Sequence, residues 1–258
     1  MNTKRRCVWL FAAAIPCLAT AKDAKAFVYD GIYNDYPSSG TKVVHNTVSS
    51  GSQSFLSQVG GDLNGVTYSG VYTGVTGTDF SLGMYSTGNE LFGFAYAVYP
   101  VNSGAANSCF ADAGHGSGDD WEPLTIPSHT YNAGCWIQSV WNNSSDSWGS
   151  TSDYAEVEYG TYGPGTASIH CHGHAEASAR CISYTNFISN GGAGGDGFND
   201  YTDLGANQSG EVCLLRKIGG KFASNASSSG PWVETYLFGS EWYLNAETTN
   251  SAFADCIN

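Results

Sequence analysis

The chain has 258 residues and a formal net charge of −13; only 13% of its residues are charged, whereas 14% are aromatic and 33 are glycine. This composition argues against a long disordered tail, a coiled coil or a mostly helical enzyme. Because 23 acidic residues stand against 10 basic ones, the surface should repel phosphate backbones, and we do not expect the protein to bind nucleic acid.

The first 26 residues have the organisation of a secretory signal peptide. Lys4, Arg5 and Arg6 precede an apolar run over residues 8–18, and a small-residue pattern ending at Ala26 follows. That run is about half of the ~20 residues needed to cross a bilayer, and no later run is long enough. We therefore expect cleavage after residue 26, an extracellular protein of charge −17 and no transmembrane segment. A buried N-terminal helix is the alternative.

The rest of the chain has the pattern of short strands separated by turns. β-branched and aromatic runs, such as residues 66–72 and 92–99, are bounded by glycines, and no capped amphipathic segment of helical length is present. This pattern predicts an all-β fold, a disulfide-stabilised β-sandwich or barrel-like modules. The composition changes near Ala105, which separates a cysteine-free β-region (27–105) from a disulfide-stapled β-region (106–258).

Two glutamates form the first candidate catalytic feature. Glu156 and Glu158 alternate with apolar residues, so a strand places both carboxylates on one face. Glycoside hydrolysis requires such a pair, and residues 157–164 resemble a stretch found in jelly-roll xylanases, over less than a tenth of the chain. Solvated carboxylates on a strand are the simpler interpretation, and catalysis by this pair is the alternative.

Residues 168–181 predict one strand with an apolar inner face of small residues and a polar outer face. The outer face carries three histidines at alternate positions: His170, His172 and His174. Neighbours at this spacing are ~6.6 Å apart, so two imidazoles could share a zinc ion, with His115 or Glu176 as a further ligand. We prefer the interpretation that this is a polar outer face without a metal, and we therefore expect no cofactor.

Residues 189–210 are rich in glycine, aspartate and asparagine and predict a loop. Within them, residues 191–199 fit one calcium-binding nonapeptide of the β-roll type. Real β-rolls stack several copies, because each turn completes the site of its neighbour, and only one copy is present here. A loop without calcium is therefore the preferred interpretation.

Aromatic residues supply the remaining binding signal. Most tryptophans lie beside Gly, Asn, Ser or Asp, where turns expose side chains, and flat rings stack on sugars while nearby polar groups bond the hydroxyls. The alternation around Tyr243 predicts that Trp242 points inward and Tyr243 outward. The candidate sugar-binding residues are Trp141, Trp148, Trp232 and Tyr243.

Six cysteines remain after cleavage: Cys109, Cys135, Cys171, Cys181, Cys213 and Cys256. An even number in an exported chain implies disulfides, and six cysteines allow 15 connectivities. An internal match relates residues 157–181 to 233–256, through a Val-Glu pair, an aromatic-Gly pair and an Ala-x-Ala-x-Cys ending. This match defines two repeat units, 135–181 and 213–256, and favours a disulfide closing each unit, which leaves Cys109 for Cys171.

Residues 213–256 also resemble a known kind of module. The order Cys213-Leu214-Leu215, Gly220-Lys221-Phe222, Trp242-Tyr243-Leu244 and Ala252-x-Ala254-x-Cys256 is similar to a repeated, cysteine-closed secreted bacterial β-module of unassigned function. The resemblance implies export and a cysteine-closed β unit, and it implies no activity.

The leading functional hypothesis is a secreted, non-catalytic binding or structural protein that recognises extracellular or cell-surface polysaccharide. A secreted hydrolase, either a glycoside hydrolase or a metal-dependent enzyme, is the first alternative. A pore-forming toxin is the second, because residues 41–88 are poor in charge and rich in Ser, Thr and Gly.

Overall fold

The computed structural model describes residues 26–34, 40–63, 68–86, 91–100, 102–111, 118–127, 132–142, 148–184, 186–194, 200–222, 231–247 and 250–258, with backbone only for 26–34 and 200. Over these ranges the protein is all-β, with eighteen strands, three sheets and three disulfides, which confirms the predicted fold class. The same ranges hold no helix of the length and apolarity that a membrane span requires.

The strands follow one another in three groups of six. The first group is β1 (Ala26–Asn34), β2 (Gly40–Thr47), β3 (Gln53–Gly61), β4 (Gly70–Thr76), β5 (Asp79–Ser86) and β6 (Leu91–Val98). The second is β7 (Asn102–Phe110), β8 (Asp119–Leu124), β9 (Asn132–Asn142), β10 (Tyr154–Tyr159), β11 (Ala167–His172) and β12 (Ala175–Tyr184). The third is β13 (Phe187–Gly194), β14 (Asp200–Ala206), β15 (Val212–Gly219), β16 (Trp232–Phe238), β17 (Glu241–Ala246) and β18 (Ser251–Ile257).

The strand order shows a threefold repeat. Sheet 1 has the order β1-β6-β3-β16-β17-β14, sheet 2 β7-β12-β9-β4-β5-β2 and sheet 3 β13-β18-β15-β10-β11-β8. Adding six to every strand number of sheet 1, with the numbering continuing from β18 to β1, gives the strand order of sheet 2. Adding six again gives the strand order of sheet 3. Each repeat (β1–β6, β7–β12 and β13–β18) therefore contributes three strands to one sheet and three to the next. All strand pairs are antiparallel.

The same register shift recurs in the third strand of each repeat. The shift follows a fully buried residue, which is Leu56 in β3, Ile137 in β9 and Leu215 in β15. The preceding residues of these strands meet in one buried cluster with the ends of the sixth strands: Phe55, Trp136, Leu214, Val98, Ile182 and Ile257. The repeats are therefore equivalent in packing as well as in strand order.

The hydrophobic core lies between the three sheets. The central strands β3, β9 and β15 contact one another, so every sheet packs against the other two. Small residues dominate the inner face of the sixth strands, where Ala95, Ala179 and Ala254 are fully buried. Because these side chains are short, the sheets approach closely, and larger residues such as Leu56 fill the space between them.

Three disulfides reinforce this core with the pairing that the internal match favoured. Cys135–Cys181 joins β9 to β12, and Cys213–Cys256 joins β15 to β18 at the equivalent place in the next repeat. Cys109–Cys171 joins β7 in sheet 2 to β11 in sheet 3.

The predicted single strand over residues 168–181 is wrong, because the chain turns a corner within it. β11 ends at His172 in sheet 3, Gly173 and His174 form a turn, and β12 begins in sheet 2. Gly173 has a φ of +75°, and a Cβ atom there would collide with the Asp153 carboxylate. Only glycine suits that position. The inner face keeps its predicted burial on both sides of the corner.

The predicted loop over residues 189–210 is also wrong, since β13 and β14 occupy much of it. Its glycines serve close packing: a Cβ atom on Gly192 would collide with the Phe253 ring, and one on Gly191 would crowd Leu204. Residues 191–194 of the candidate calcium nonapeptide belong to β13, and residues 195–199 lie outside the described ranges.

The change of composition near Ala105 falls inside β7, the first strand of the second repeat. The cysteine-free region thus corresponds closely to the first repeat. Its strands do not form separate sheets, because β1, β6 and β3 share sheet 1 with β16, β17 and β14 from the end of the chain.

Candidate functional site

The outer face of sheet 1 carries a row of polar side chains and, beside it, a group of tyrosines. Strand register places Glu234 between Gln58 and Asn245, and these three residues form what we term the polar row. Tyr201 on β14 pairs with Asn245 and so lies at the end of the polar row. Tyr236 and Tyr243 pair with each other one step further along β16 and β17. Tyr201, Tyr236 and Tyr243 are termed the tyrosine patch.

The rings of the tyrosine patch contact one another. Tyr236 and Tyr243 are stacked, with centroids 5.5 Å apart and planes at 23°, and Tyr201 meets Tyr243 edge-on at 6.4 Å. Tyr201 is 65% exposed, and Phe238 at the end of the adjacent strand is 73% exposed. The Glu241 carboxylate accepts a hydrogen bond from the Tyr243 hydroxyl at 2.7 Å, which raises the pKa of Tyr243 to about 12. The patch is therefore an aromatic surface that is open to solvent at Tyr201, while Tyr236 and Tyr243 are half-buried.

The polar row is less exposed than the patch. Gln58 Nε2 donates to Glu234 Oε2 at 2.8 Å. Burial raises the pKa of Glu234 to about 7, since it outweighs the opposing hydrogen bond from Asn245, and the negative charge of Glu247 adds to the rise. Asn245 Oδ1 is buried and accepts no hydrogen bond from the described residues. A pocket of about 210 Å³ borders this row between Gln58, Glu234 and Tyr236.

Sheet 3 places a different set of side chains at the equivalent positions. Lys217, Glu156, His170 and Trp121 lie in register across β15, β10, β11 and β8, where sheet 1 has Gln58, Glu234, Asn245 and Tyr201. The register makes Glu156, rather than Glu158, the counterpart of Glu234. The internal sequence match had aligned Glu158 with Glu234, two residues away from this structural equivalence. The difference arises because the β10–β11 connection, residues 160–166, is longer than the β16–β17 connection, Gly239-Ser240.

His170 lies in a compact group that we term the histidine cluster: Asp119, Glu158, His170 and His172. Asp119 Oδ1 is 2.9 Å from His170 Nε2 and 2.6 Å from His172 Nδ1. Glu158 Oε1 is 3.0 Å from the other ring nitrogen of His170, Nδ1. The hydrogen bonds from His172 and then His170 hold the pKa of Asp119 below its ordinary value.

Aromatic rings hold the histidine cluster in place. Trp121 stacks on His170 with a centroid distance of 3.5 Å, and Tyr154 stacks on His172 at 5.2 Å. The His170 side chain is only 5% exposed, whereas those of His172 and Asp119 are 31% and 35% exposed. The cluster therefore has a rigid inner side and an accessible outer side.

The structure separates the three histidines that the sequence had placed on one face. His174 lies in the turn at the corner, with Nδ1 3.5 Å from Asp153 Oδ1, and does not join the cluster. Glu176 lies on β12 and accepts a hydrogen bond from Tyr68, and His115 lies outside the described residues. Sequence reasoning missed Asp119, which precedes His170 by 51 residues and reaches it only through the pairing of β8 with β11.

Glu156 and Glu158 do share one strand face, and each has a partner. Lys217 Nζ donates to Glu156 Oε2 at 2.8 Å, in an ion pair whose two side chains are largely buried. Glu158 is in contact with His170. Both carboxylates are thus engaged within the sheet.

The candidate sugar-binding aromatics differ in their placement. Trp148 is fully buried against Phe222 and offers no face to a ligand. Trp141 is stacked between Tyr68 and Tyr72 on sheet 2, at 5.0 and 5.3 Å. Trp232 is half-buried and meets Phe92 edge-on.

Trp242 and Tyr243 have the predicted orientations. Trp242 is buried and donates to Asn207, and Tyr243 points outward into the tyrosine patch. The other two members, Tyr201 and Tyr236, were missed. The alternation of Glu234 and Tyr236 with the buried residues Val233 and Thr235 is the signal that could have identified Tyr236.

Comparisons with protein-family models, with curated proteins and with solved structures gave no match to this chain.

Proposed function

We propose that this is a secreted, non-catalytic protein that binds extracellular or cell-surface polysaccharide through the outer face of sheet 1. The observation that carries the proposal is the open tyrosine patch lying directly beside the polar row. Aromatic rings pack against the C–H faces of sugar rings, while buried polar groups orient a ligand by bonding its hydroxyls.

The spacing on this face suits a sugar chain. Neighbouring strands lie ~4.8 Å apart, and alternate residues along one strand lie ~6.6 Å apart. A sugar stacked on Tyr243 would therefore bring its hydroxyls near Glu234 and Asn245, which lie one step along the same two strands. A glutamate with a pKa of about 7 can donate as well as accept hydrogen bonds at neutral pH, and Asn245 Oδ1 offers a further acceptor.

The surroundings of the carboxylates favour binding over hydrolysis. Glycoside hydrolysis uses two carboxyl groups, one on each side of the scissile bond. Glu156 and Glu158 are held by Lys217 and His170. The register neighbours of Glu234 are the amides Gln58 and Asn245, and Glu247, whose charge raises the pKa of Glu234, is buried. Three disulfides support the secreted part of the proposal, since such bonds persist in oxidising compartments.

The proposal is tested by measuring binding to a glycan array and to insoluble polysaccharides. We expect Tyr243→Ala and Tyr201→Ala each to weaken binding at least tenfold, equivalent to about 1.4 kcal/mol. Tyr162→Ala serves as the matched control, because Tyr162 is 54% exposed but lies in the turn after β10. Absence of binding by the wild type, or equal binding by the patch variants and the control, would contradict the proposal.

A further inference from the structure

We propose that Asp119, His170 and His172 bind a zinc ion on the outer face of sheet 3, with Glu158 positioning His170. One ligand atom from each of the three residues lies within 4.8 Å of the other two. This site is separate from the tyrosine patch, which is on sheet 1. Two imidazoles and one carboxylate are a common ligand set for zinc sites that keep an open coordination position.

The distances need only a small adjustment to admit the ion. Zinc binds nitrogen and oxygen at about 2.0–2.2 Å, which places tetrahedral ligand atoms about 3.3–3.5 Å apart. Asp119 Oδ1 is now 2.9 and 2.6 Å from the two histidine nitrogens. Because Asp119 and His172 are partly exposed, small rotations of these two side chains supply the extra separation while His170 stays fixed.

The carboxylate oxygens around His170 leave a place for a cation. A neutral imidazole carries one N–H, yet both ring nitrogens of His170 face carboxylate oxygens, from Glu158 and Asp119. If Nδ1–H donates to Glu158, the lone pair of Nε2 faces the negative Asp119 oxygen. A zinc ion between Nε2 and Asp119 turns that repulsion into two bonds.

The remaining contacts match those of a metal centre. Zinc-binding histidines almost always donate their second ring N–H to a carboxylate or a carbonyl, which fixes the ring and increases its basicity. Glu158 stands in that place relative to His170, and the stacked Trp121 ring prevents rotation of the imidazole. Since Asp119 and His172 lie on the accessible side, the fourth coordination position opens toward solvent.

The described residues contain one other group with metal-ligand spacing, formed by Glu211, Cys213 and Cys256. Its two sulfur atoms are joined in a disulfide, so no thiolate is present to bind a metal.

The test is a calorimetric titration of chelator-treated, purified protein with zinc chloride. Elemental analysis of the zinc-loaded protein measures the stoichiometry. We expect one zinc per chain, and His172→Ala and Asp119→Asn to raise the Kd for zinc at least tenfold. Glu158→Gln should raise it by about 10- to 100-fold, as expected for a group that orients a ligand. Replacement of zinc by cobalt should give a visible absorption spectrum that His172→Ala abolishes.

Two variants are matched controls. His174→Ala removes the histidine in the adjacent turn, and His45→Ala removes one that contacts a single carboxylate, Asp79, at 3.2 Å. Both should bind zinc as the wild type does, and circular dichroism establishes that every variant is folded. Absence of stoichiometric zinc, or equal affinity in His172→Ala, would overturn the proposal. Polysaccharide binding in the presence of chelator tests the tyrosine patch separately.

Discussion

One glutamate position in the fold has two different chemical roles, depending on the residue beside it. Glu156 in sheet 3 lies next to Lys217, which neutralises its charge at 2.8 Å. Its counterpart in sheet 1, Glu234, lies next to Gln58, whose amide donates a hydrogen bond but carries no charge. Burial of Glu234 without a cation therefore raises its pKa to about 7. A single cross-strand neighbour decides whether this position is an ion pair or a near-neutral carboxyl.

This shift predicts a pH dependence of stability. The pKa of Glu234 is higher in the folded state than the ordinary 4.5, so folding is favoured by its protonation and the free energy of unfolding falls as pH rises from about 4.5 to 7. The loss should be on the order of 2–3 kcal/mol. Glu234→Gln, which cannot ionise, should remove this part of the decline. Urea denaturation at pH 5, 6, 7 and 8 measures it.

Phe238→Ala is the control for that experiment, because Phe238 is exposed at the end of the same strand and carries no ionisable group. It should leave the pH dependence as it is in the wild type. Parallel curves for the wild type and Glu234→Gln would show that Glu234 does not titrate in this range.

At the scale of the element, the third and sixth strands of each repeat form the same pair with different cross-links. Cys135 pairs with Cys181, and Cys213 pairs with Cys256, at equivalent register positions. The first repeat has Ser54 opposite Ala97 at this place, two residues before the register shift. Both side chains are buried, and the first repeat maintains this strand pairing without a cross-link at that position.

The equivalence predicts that Ser54→Cys/Ala97→Cys forms a fourth disulfide. The new bridge would close a loop similar in length to the existing loops of 46 and 43 residues, and it should stabilise the protein by about 2–4 kcal/mol. Thiol labelling and chemical denaturation, with and without reductant, measure the bond and its effect. The two single variants are controls and should show no gain. Two free thiols in the double variant would mean that the first repeat departs from the geometry of the others.

At the scale of the whole molecule, the exchange of strands makes the repeats depend on one another. Sheet 1 needs β14, β16 and β17 from the third repeat, and the other two sheets are completed in the same way. Phe55, Trp136 and Leu214, one from each repeat, meet in one buried cluster. No repeat can keep both of its sheets when another unfolds, so the described part of the chain should unfold as one unit.

Trp136→Ala tests this interdependence. Loss of a fully buried tryptophan should cost about 3–5 kcal/mol, and because the cluster joins all three repeats, one transition should remain, shifted to lower denaturant. Near-ultraviolet and far-ultraviolet circular dichroism should give the same midpoint. Tyr201→Ala, on the exposed surface, should change stability by about 0.5 kcal/mol or less. Two separate transitions in Trp136→Ala would indicate that one repeat unfolds independently.

The sequence by itself determined the local features of this protein. Side-chain alternation identified the strand class, the buried face of residues 168–181 and the opposite orientations of Trp242 and Tyr243. The recurring Ala-x-Ala-x-Cys ending favoured the disulfide pairing that the structure contains. These features are readable because alternation and motif spacing depend on neighbours along the chain.

Only the tertiary structure decided which distant residues meet. It divided the histidine row at Gly173, brought Asp119 to His170 and His172, and assembled the tyrosine patch from β14, β16 and β17. It also revealed the first repeat, whose strands follow the common order although it lacks the cysteines that mark the other two. Strand register and the exchange of strands between sheets depend on packing across the whole core, and that packing leaves no periodic signal in the chain.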